Sequence, residues 1–338
     1  MIRKGFLSLS KCMLIVGLLL GLTAVATAAE KIRFNLDWVI FGRHTGYFTA
    51  LGKGFYKQQG LDAIVKRGFG SSKAIALMAQ GQSDYTFADM GALVLARAND
   101  KVPVKAIGVV YARTPHAVHY LEGSGLHKPT DLKGRTVAAA HGGSSIALMF
   151  PGFLKAAGIS GGVKMNRVQA SALNSILLSR KVDGMLDYVF NTVLINKIGK
   201  QKGLKGRYFL FSDVGMVFYA NALLAPYKTI AQKPDQIRRF VKATFMGLEY
   251  SFKHPEEAVD IHRKYNPQVD REAALGELAL VKQMMSSPEA LEKGMGYMKR
   301  EKVAGTINVM RLYLNLKKPI KPEEIYTNAF LPGIMIPK

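Results

Sequence analysis

Four side chains able to hold a small ligand, Asp37, Trp38, Phe41 and His44, stand close together in the loop Asp37–His44, directly after a predicted strand. Trp38 is the only tryptophan of the chain and offers a flat face for a planar or apolar ligand part. Phe41 could form a second wall. His44 opens a predicted helix, so we expect the helix dipole to lower its pKa and leave a neutral donor and acceptor. A core position for Trp38 is an equally good interpretation of that residue alone.

Two serine-containing loops precede predicted helices. Ser71 and Ser72 follow Gly70 in the first loop, and Ser144 and Ser145 end the second. Hydroxyl groups and free backbone N–H groups at a helix start bind anions or polar ligands. Simple helix capping is the alternative. If the two loops face each other, they would converge on one cleft.

The remaining candidates are polar residues just past other predicted strands. Asp89 and Asp187 could accept hydrogen bonds from a ligand amine, or could cap helices. Tyr188 and Asn191 lie beside Asp187. Arg113 stands where the chain changes character and could pair an acidic group through two parallel hydrogen bonds. We therefore include all five in the predicted ligand site.

The motifs of common enzymes are absent from the sequence. It has no H-E-x-x-H zinc motif, no G-x-S-x-G elbow, no Walker loop and no cysteine–histidine pair. We therefore predict a binding protein that has no catalytic residue, no metal and no cofactor.

The elements that must position these residues alternate between strands and helices. Predicted strands at 32–36, 61–65, 85–88 and 104–111 are followed by a second set at 136–140, 163–168, 185–188 and 207–211. This order predicts α/β lobes, each with a mostly parallel sheet flanked by helices, and ligands bind at the carboxyl ends of such strands. Two crossovers, near Arg113 and Val214, predict one lobe from 29–113 and 216–338 and another from 114–215. Beyond the second crossover we predict only helices.

Several short motifs carry a resemblance to a known family. They are Asp37-Trp38, His44-Thr45-Gly46, Gly54-Phe55-Tyr56, Gly60-Leu61-Asp62 and the ending Tyr326–Pro332. This pattern resembles the periplasmic solute-binding proteins of ABC importers, in the branch that takes up nitrate, taurine, alkanesulfonates and thiamine pyrimidine precursors. One departure is Ile40-Phe41, where the pyrimidine-binding members usually carry Pro-Asn.

The resemblance implies a two-lobed, type II binding-protein fold that closes on a small solute and delivers it to an ABC permease and its ATPase. A thiamine-pyrimidine-like heteroaromatic, or a sulfonate or carboxylate, remains open as the ligand. The family's fold also occurs in a fungal pyrimidine-precursor synthase that shares His44-Thr45-Gly46. That enzyme uses a cysteine cluster and is not exported, whereas this chain has only Cys12. A third alternative is a soluble sensor partner of a membrane receptor.

Residues 1–28 have the composition of a secretory signal peptide. Arg3, Lys4 and Lys11 are followed by the apolar stretch Met13–Leu22 and the A-x-A site Ala26-Thr27-Ala28. The apolar stretch is shorter than the ~18 residues of a membrane span, so an N-terminal anchor is the weaker alternative. We therefore predict a periplasmic protein.

The charge balance is strongly basic. Removing three signal-peptide cations from the formal charge of +23 leaves +20. No run of Lys or Arg exceeds two residues and no aromatic residues interleave with them, so we do not expect nucleic acid as a partner. The most basic stretch, Lys197–Arg207, is interpreted as a solvated loop, with a transporter-facing or membrane-facing surface as the alternative. We expect a monomer.

Overall fold

Two five-stranded sheets organise the computed structural model, which describes residues 28–337. The predicted signal peptide therefore lies almost wholly outside the described residues. The first sheet has the order β2-β1-β3-β10-β4 and the second the order β7-β6-β8-β5-β9. Helices flank both sheets, as expected for two α/β lobes.

The first sheet contains β1 (Glu30–Asn35), β2 (Leu61–Lys66), β3 (Tyr85–Asp89), β4 (Val104–Val109) and β10 (Asn221–Pro226). β1 pairs in parallel with β2 and β3, and β10 runs antiparallel between β3 and β4. The second sheet contains β5 (His116–Leu121), β6 (Thr136–Ala140), β7 (Lys164–Val168), β8 (Gly184–Tyr188) and β9 (Gly206–Leu210). Here β5 is the antiparallel strand, between β8 and β9. The prediction of mostly parallel sheets is therefore confirmed.

The two antiparallel strands are the ones that sequence analysis did not predict. Each is the first strand after a passage between the sheets, which runs through residues 110–115 before β5 and 211–220 before β10. The expectation of only helices beyond the second crossover is thus wrong, because Asn221–Pro226 first returns to the first sheet. β10 is buried almost throughout and lacks the alternation that marks a half-buried strand.

Fourteen α-helices lie in the described part of the chain. They are α1 (Thr45–Gly52), α2 (Phe55–Gln58), α3 (Ser71–Ala79), α4 (Met90–Asp100), α5 (Ser145–Ala156), α6 (Leu173–Leu178), α7 (Thr192–Lys200), α8 (Tyr227–Gln232), α9 (Pro234–Lys253), α10 (Pro255–Tyr265), α11 (Arg271–Met285), α12 (Pro288–Lys293), α13 (Arg300–Tyr313) and α14 (Pro322–Ile325). Short 3₁₀ helices include Gly42–His44 and Val189–Asn191. Within residues 28–337, no helix has the length and apolar character needed to cross a membrane.

Helix α9 shows how the C-terminal helices join the first lobe. Its apolar stripe, with a 3.6-residue period, is buried at Ile237, Phe240 and Phe245. The Phe240 ring stacks on Tyr85 of β3, with ring centroids 3.9 Å apart. Phe34 of β1 meets the same ring edge-on. The long helix therefore covers the face of the first sheet and holds β1 and β3, whose carboxyl ends lead into the ligand-site loops.

The two lobes touch each other. Lys197 of α7 lies 2.8 Å from both Asp270 and Glu272 at the start of α11. The Ser72 N–H donates to the Gly143 carbonyl across 3.2 Å. The basic stretch Lys197–Arg207 is thus not simply a solvated loop, because its first and last residues form ion pairs.

Candidate functional site

A cavity lies between the sheets, at the carboxyl ends of β1, β6 and β8. From the first lobe it is lined by Asp37, Trp38, Arg43, Gly70 and Ser71, and from the second by Ala140, Ser144, Ser145, Ile146, Leu173, Leu186, Asp187 and Tyr188. Its volume is about 30 Å³, which is room for no more than a few water molecules. The lobes are therefore closed, and an organic ligand could enter only if they or a lining side chain moved.

Asp37 is the anion of the cavity wall. It is 3% exposed. Its Oδ1 accepts a hydrogen bond from His44 Nε2 at 2.8 Å, and its Oδ2 accepts one from Asn221 Nδ2 at 2.9 Å. Burial acts to raise the pKa of Asp37, but the hydrogen bond from His44, the charge of Arg43 and the hydrogen bond from Asn221 lower it overall. Asp37 is therefore ionised and held in one orientation.

His44 lies behind Asp37 and does not line the cavity. Its Nδ1 accepts from the Phe41 N–H at 3.1 Å, so the ring proton is on Nε2, facing Asp37. Burial lowers the pKa of His44 and outweighs the opposing effect of Asp37. The neutral state expected from the sequence follows, but its main cause is burial rather than the helix dipole.

Arg43 is the functional candidate that sequence analysis missed. Its side chain is almost fully buried, and the Nε atom has no hydrogen-bond partner among the described residues. Burial acts to lower the pKa of Arg43, but the charges of Asp37, Asp187 and Glu277 raise it overall. The guanidinium is thus charged and lines the cavity between the two lobes.

The backbone around Arg43 explains its placement. Gly42 packs so closely on α11 that an added Cβ would lie 2.2 Å from the Ala274 Cα atom. This approach lets the Arg43 N–H donate to Glu277 Oε2 at 2.9 Å. Burial raises the pKa of Glu277 to about 7. The Phe41 ring lies 4.8 Å from the Arg43 guanidinium carbon and does not line the cavity, so it supports Arg43 instead of forming a second wall.

Asp187 and Tyr188 contribute the second lobe's polar wall. Asp187 Oδ1 accepts from the Tyr188 N–H at 2.7 Å, and Oδ2 accepts from Asn191 Nδ2 at 3.0 Å. Burial raises the pKa of Asp187, although Arg43 opposes that shift. Asn191 also exchanges two hydrogen bonds with Asn174. It therefore orients Asp187 from outside the cavity.

A chain of hydrogen bonds joins the two walls. Tyr188 Oη lies 2.9 Å from Asn221 Oδ1 and 3.2 Å from Ser145 Oγ. Asn221, at the start of the unpredicted β10, is fully buried and also donates to Asp37. Asn221 thus connects Asp37 of one lobe with Tyr188 of the other.

The four serines of the two loops differ in whether they line the cavity. Ser71, Ser144 and Ser145 line the cavity, and Ser144 caps α5 through the Ala147 N–H at 3.5 Å. Ser71 accepts from the Asp89 N–H at 3.1 Å. Ser72 does not line the cavity, and its backbone N–H donates to the Gly143 carbonyl of the other lobe.

Trp38 lines the cavity and is partly buried. Its side chain packs against the apolar cluster of the second lobe that includes Ala140 and Leu173. The indole therefore combines the two interpretations made from sequence: it faces the ligand cavity, and it contributes to an apolar contact between lobes.

Two predicted candidates lie away from the cavity. Arg113 is exposed and donates to the Ser286 carbonyl at 3.2 Å. Asp89 is fully buried and caps α4 through the Ala92 N–H at 3.0 Å. Its Oδ2 lies 3.4 Å from His116 Nε2, and burial raises its pKa to about 7. Neither residue is placed to touch a solute in the closed cavity.

A sequence signal for the missed residues exists only for Arg43, which immediately precedes His44 in the first motif. Asn221 and Glu277 lie 184 and 234 residues from their respective partners Asp37 and Arg43. No local pattern connects such distant positions. Within residues 28–337, no group of three His, Cys, Asp or Glu side chains is arranged to hold a metal ion.

The relatives of this chain include proteins named as binding proteins and a protein named as an enzyme. It is 26% identical over 318 residues to the riboflavin-binding protein RibY of Chloroflexus aurantiacus, covering 90% of this chain and 87% of that protein. It is 25% identical to the formylaminopyrimidine-binding protein of Halalkalibacterium halodurans, covering 69% and 70%. It is 23% identical to the 4-amino-5-hydroxymethyl-2-methylpyrimidine phosphate synthase of Candida albicans, covering 71% and 73%. Binding proteins and an enzyme thus share this sequence pattern.

Solved periplasmic binding proteins have the same fold. The alkanesulfonate-binding protein SsuA from Xanthomonas axonopodis pv. citri, bound to MOPS, superposes with a TM-score of 0.64 at 12% identity, covering 89% of this chain and 99% of that one. The two-lobed fold predicted from sequence is therefore confirmed. The family described as NMT1/THI5 like matches residues 42–258. The chain belongs to the NMT1/THI5-like family.

Proposed function

We propose that this protein is the periplasmic substrate-binding component of an ABC importer, which captures a small organic solute between its lobes. Signal-peptide cleavage after Ala28 would release it into the periplasm, where it would act as a monomer. In this proposal the lobes comprise residues 29–113 with 216–338, and residues 114–215.

The buried guanidinium of Arg43 is the observation that carries the proposal. The N–H of its Nε atom is buried without a hydrogen-bond partner among the described residues, which is unfavourable because its lost contact with water is not replaced. Arg43 faces the cavity between the lobes, where a ligand could supply the missing acceptor. Trp38 lies in the same wall and offers a flat apolar face beside that cation. Together they suit a small solute that has a planar part and a hydrogen-bond acceptor.

The closed cavity suggests the transport cycle. Because about 30 Å³ holds no organic molecule, the lobes would open at residues 110–115 and 211–220, admit the solute and close again. Closure of a hinged protein around a ligand changes its outer shape, which a partner can recognise. The partner proposed here is an ABC permease, which acts with its ATPase.

Two ligand chemistries follow from the residues and the relatives. A heteroaromatic ring that carries an amide or amine suits Trp38 and the polar wall, and the names of two relatives refer to riboflavin and formylaminopyrimidine. A sulfonate or carboxylate would suit Arg43 and the serine loops, and SsuA is named for alkanesulfonates. Of these, the first uses more of the cavity wall.

Native mass spectrometry of protein purified from the periplasm tests the proposal. We expect a bound small organic solute that is lost from Arg43→Met, whose affinity should fall about 10- to 100-fold through loss of a charge-assisted hydrogen bond. Arg113→Met is the matched control, because this arginine lies outside the cavity. A wild-type protein that never retains a solute from periplasmic extract, or equal effects of the two variants, would contradict the proposal.

An enzyme related to the pyrimidine phosphate synthase is the second candidate, because one relative carries that name. Against it stands the sequence itself, whose single cysteine is Cys12 in the predicted signal peptide. Recovery of the bound solute with unchanged mass after prolonged incubation at 37 °C would favour binding over catalysis, whereas a new product mass would favour the enzyme.

A further inference from the structure

We propose that the cavity selects an uncharged or cationic ligand with at least two N–H or O–H donors beside one acceptor, and disfavours nitrate and sulfonates. This inference rests on the proposed binding function and deepens it. It follows from the direction of each hydrogen bond in the cavity wall, which determines what the wall can still offer to a ligand.

The direction of the first two bonds is determined by His44. Because its Nδ1 accepts from the Phe41 N–H, its only proton is on Nε2 and is donated to Asp37. The carboxylate of Asp37 can only accept, so Asn221 must turn its amide NH₂ toward it. Asp37 therefore presents only lone pairs to the cavity.

The donor and acceptor of each remaining hydrogen bond follow from the bond before it. With its NH₂ group used by Asp37, Asn221 presents Oδ1 to Tyr188, whose hydroxyl must donate to it at 2.9 Å. The Tyr188 oxygen can then only accept from Ser145, at 3.2 Å. The Ser145 proton is thereby committed to Tyr188. Ser145 thus also faces the cavity as an acceptor, although a serine hydroxyl alone could play either part.

Asp187 adds further acceptors to the same wall. Both of its oxygens already accept protein N–H groups, from Tyr188 and Asn191, and their remaining lone pairs can accept from a ligand. Ser71 and Ser144 can rotate their hydroxyls to suit any ligand, so they do not discriminate. Arg43 is the charged donor of the cavity, and its charge is balanced by Asp37 beside it.

The hydrogen-bonding groups of the ligand must be complementary to those of the cavity wall. A ligand with N–H or O–H groups satisfies Asp37, Asp187 and Ser145 while its acceptor satisfies Arg43. Nitrate and a sulfonate group bring acceptors only, and would place a negative charge between two carboxyl groups. A site built to accept a donor rejects analogues that lack it, because its own buried groups are left unpaired.

Asp37→Asn should reverse the chain of bonds. An asparagine would accept from His44 with its oxygen and direct its NH₂ at Asn221, whose amide would then turn over. Tyr188 would receive that amide's NH₂ and donate to Ser145, which would become a donor to the cavity. The single substitution would therefore remove the negative charge at position 37. It would also leave hydrogen-bond donors at position 37 and at Ser145, where the wild type has only acceptors.

The solute released from periplasmic protein provides the first test. High-resolution mass spectrometry in H₂O and D₂O counts its exchangeable hydrogens, and we expect at least two and no sulfonate or nitrate group. A sulfonate, nitrate or hydrogen-free acceptor would overturn this inference while leaving the binding function intact. The absence of any retained solute would count against both.

The second test compares probe ligands that share a benzene ring and differ only in their polar group. Calorimetry should rank benzamide and benzamidine above benzenesulfonate for the wild type, and Asp37→Asn should weaken the donor-bearing probes about 10- to 100-fold relative to benzenesulfonate. Asp131→Asn removes a surface carboxylate elsewhere and should leave the ranking unchanged. If Asp37→Asn fails to fold, Ser145→Ala removes one acceptor and should weaken benzamide specifically. Tighter wild-type binding of benzenesulfonate, or a ranking unmoved by these variants, overturns the inference.

Discussion

Gly70, which lines the cavity, meets Gly143 of the other lobe backbone to backbone. A Cβ atom on Gly70 would lie 2.2 Å from the carbonyl carbon and oxygen of Gly143. The neighbouring Ser72 N–H donates to the same carbonyl at 3.2 Å. This contact belongs to the closed arrangement, because it exists only while the two lobes touch. Closure therefore depends on the absence of side chains at both positions.

The first prediction compares two adjacent glycines with the same backbone conformation. Gly142 and Gly143 both have φ near +59°, so alanine strains either position by about 1 kcal/mol. Nothing lies within 4 Å of a Cβ at Gly142, whereas one at Gly143 would lie 2.8 Å from the Phe69 carbonyl of the opposite lobe. We expect similar melting temperatures and weaker solute binding only in Gly143→Ala.

Small-angle scattering measures closure directly in the variants Gly142→Ala and Gly143→Ala. Bound solute should reduce the radius of gyration of the wild type and of Gly142→Ala, and should reduce that of Gly143→Ala less. Identical scattering and affinity of the two variants would mean that the Gly70–Gly143 contact does not control closure.

The second prediction concerns Trp38. Its fluorescence should change when solute binds, since it lines the cavity and is the only tryptophan. Trp38→Ala should weaken binding by about 1–3 kcal/mol, the scale of a lost aromatic stack. A loss of about 3–5 kcal/mol in unfolding free energy, with unchanged affinity, would instead assign Trp38 to the core. Titration calorimetry and denaturant unfolding of the same variant separate these outcomes.

The third prediction concerns pH and Asp89. Burial raises its pKa from 3.8 to about 7, so the folded state holds a proton that the unfolded state has lost above about pH 4. This residue's contribution to stability therefore declines as pH rises from about 4 to about 7. Asp89→Asn cannot ionise but can still cap α4. Relative to the wild type, this variant should gain stability across that interval.

Asp270 is the matched control for the pH prediction, since it caps α11 through the Ala273 N–H. Burial acts to raise its pKa, but the Ala273 N–H and Lys197 lower it overall. Asp270→Asn should therefore lose stability relative to the wild type as pH rises through the acidic range. Urea unfolding at a series of pH values should give opposite slopes, and parallel slopes would exclude a proton on Asp89.

The fourth prediction concerns export. The A-x-A site predicts that the mature chain begins at Ala29 or Glu30. Edman sequencing of the protein recovered from a periplasmic fraction checks this. Recovery of intact Met1 would remove the argument for a periplasmic protein.

The sequence by itself determined the loops from which the cavity is built. Asp37, Ser71 and Asp187 each follow or border a recognisable strand, and the carboxyl ends of parallel strands must meet at one edge of a sheet. Short-range periodicity is enough to place such residues. It also predicted two mostly parallel sheets, because alternating strands and helices leave few other arrangements.

Only the tertiary structure decided which side chains face the cavity. Arg113 and Phe41 were plausible candidates, yet one is exposed and Arg43 covers the other. Asn221 and Glu277 reach the site from strands and helices far along the chain. Their roles depend on contacts between distant segments and on the closed lobes, which no local pattern of residue types records. The donor and acceptor directions in the wall are likewise a property of the whole network, because each is determined by the bond before it.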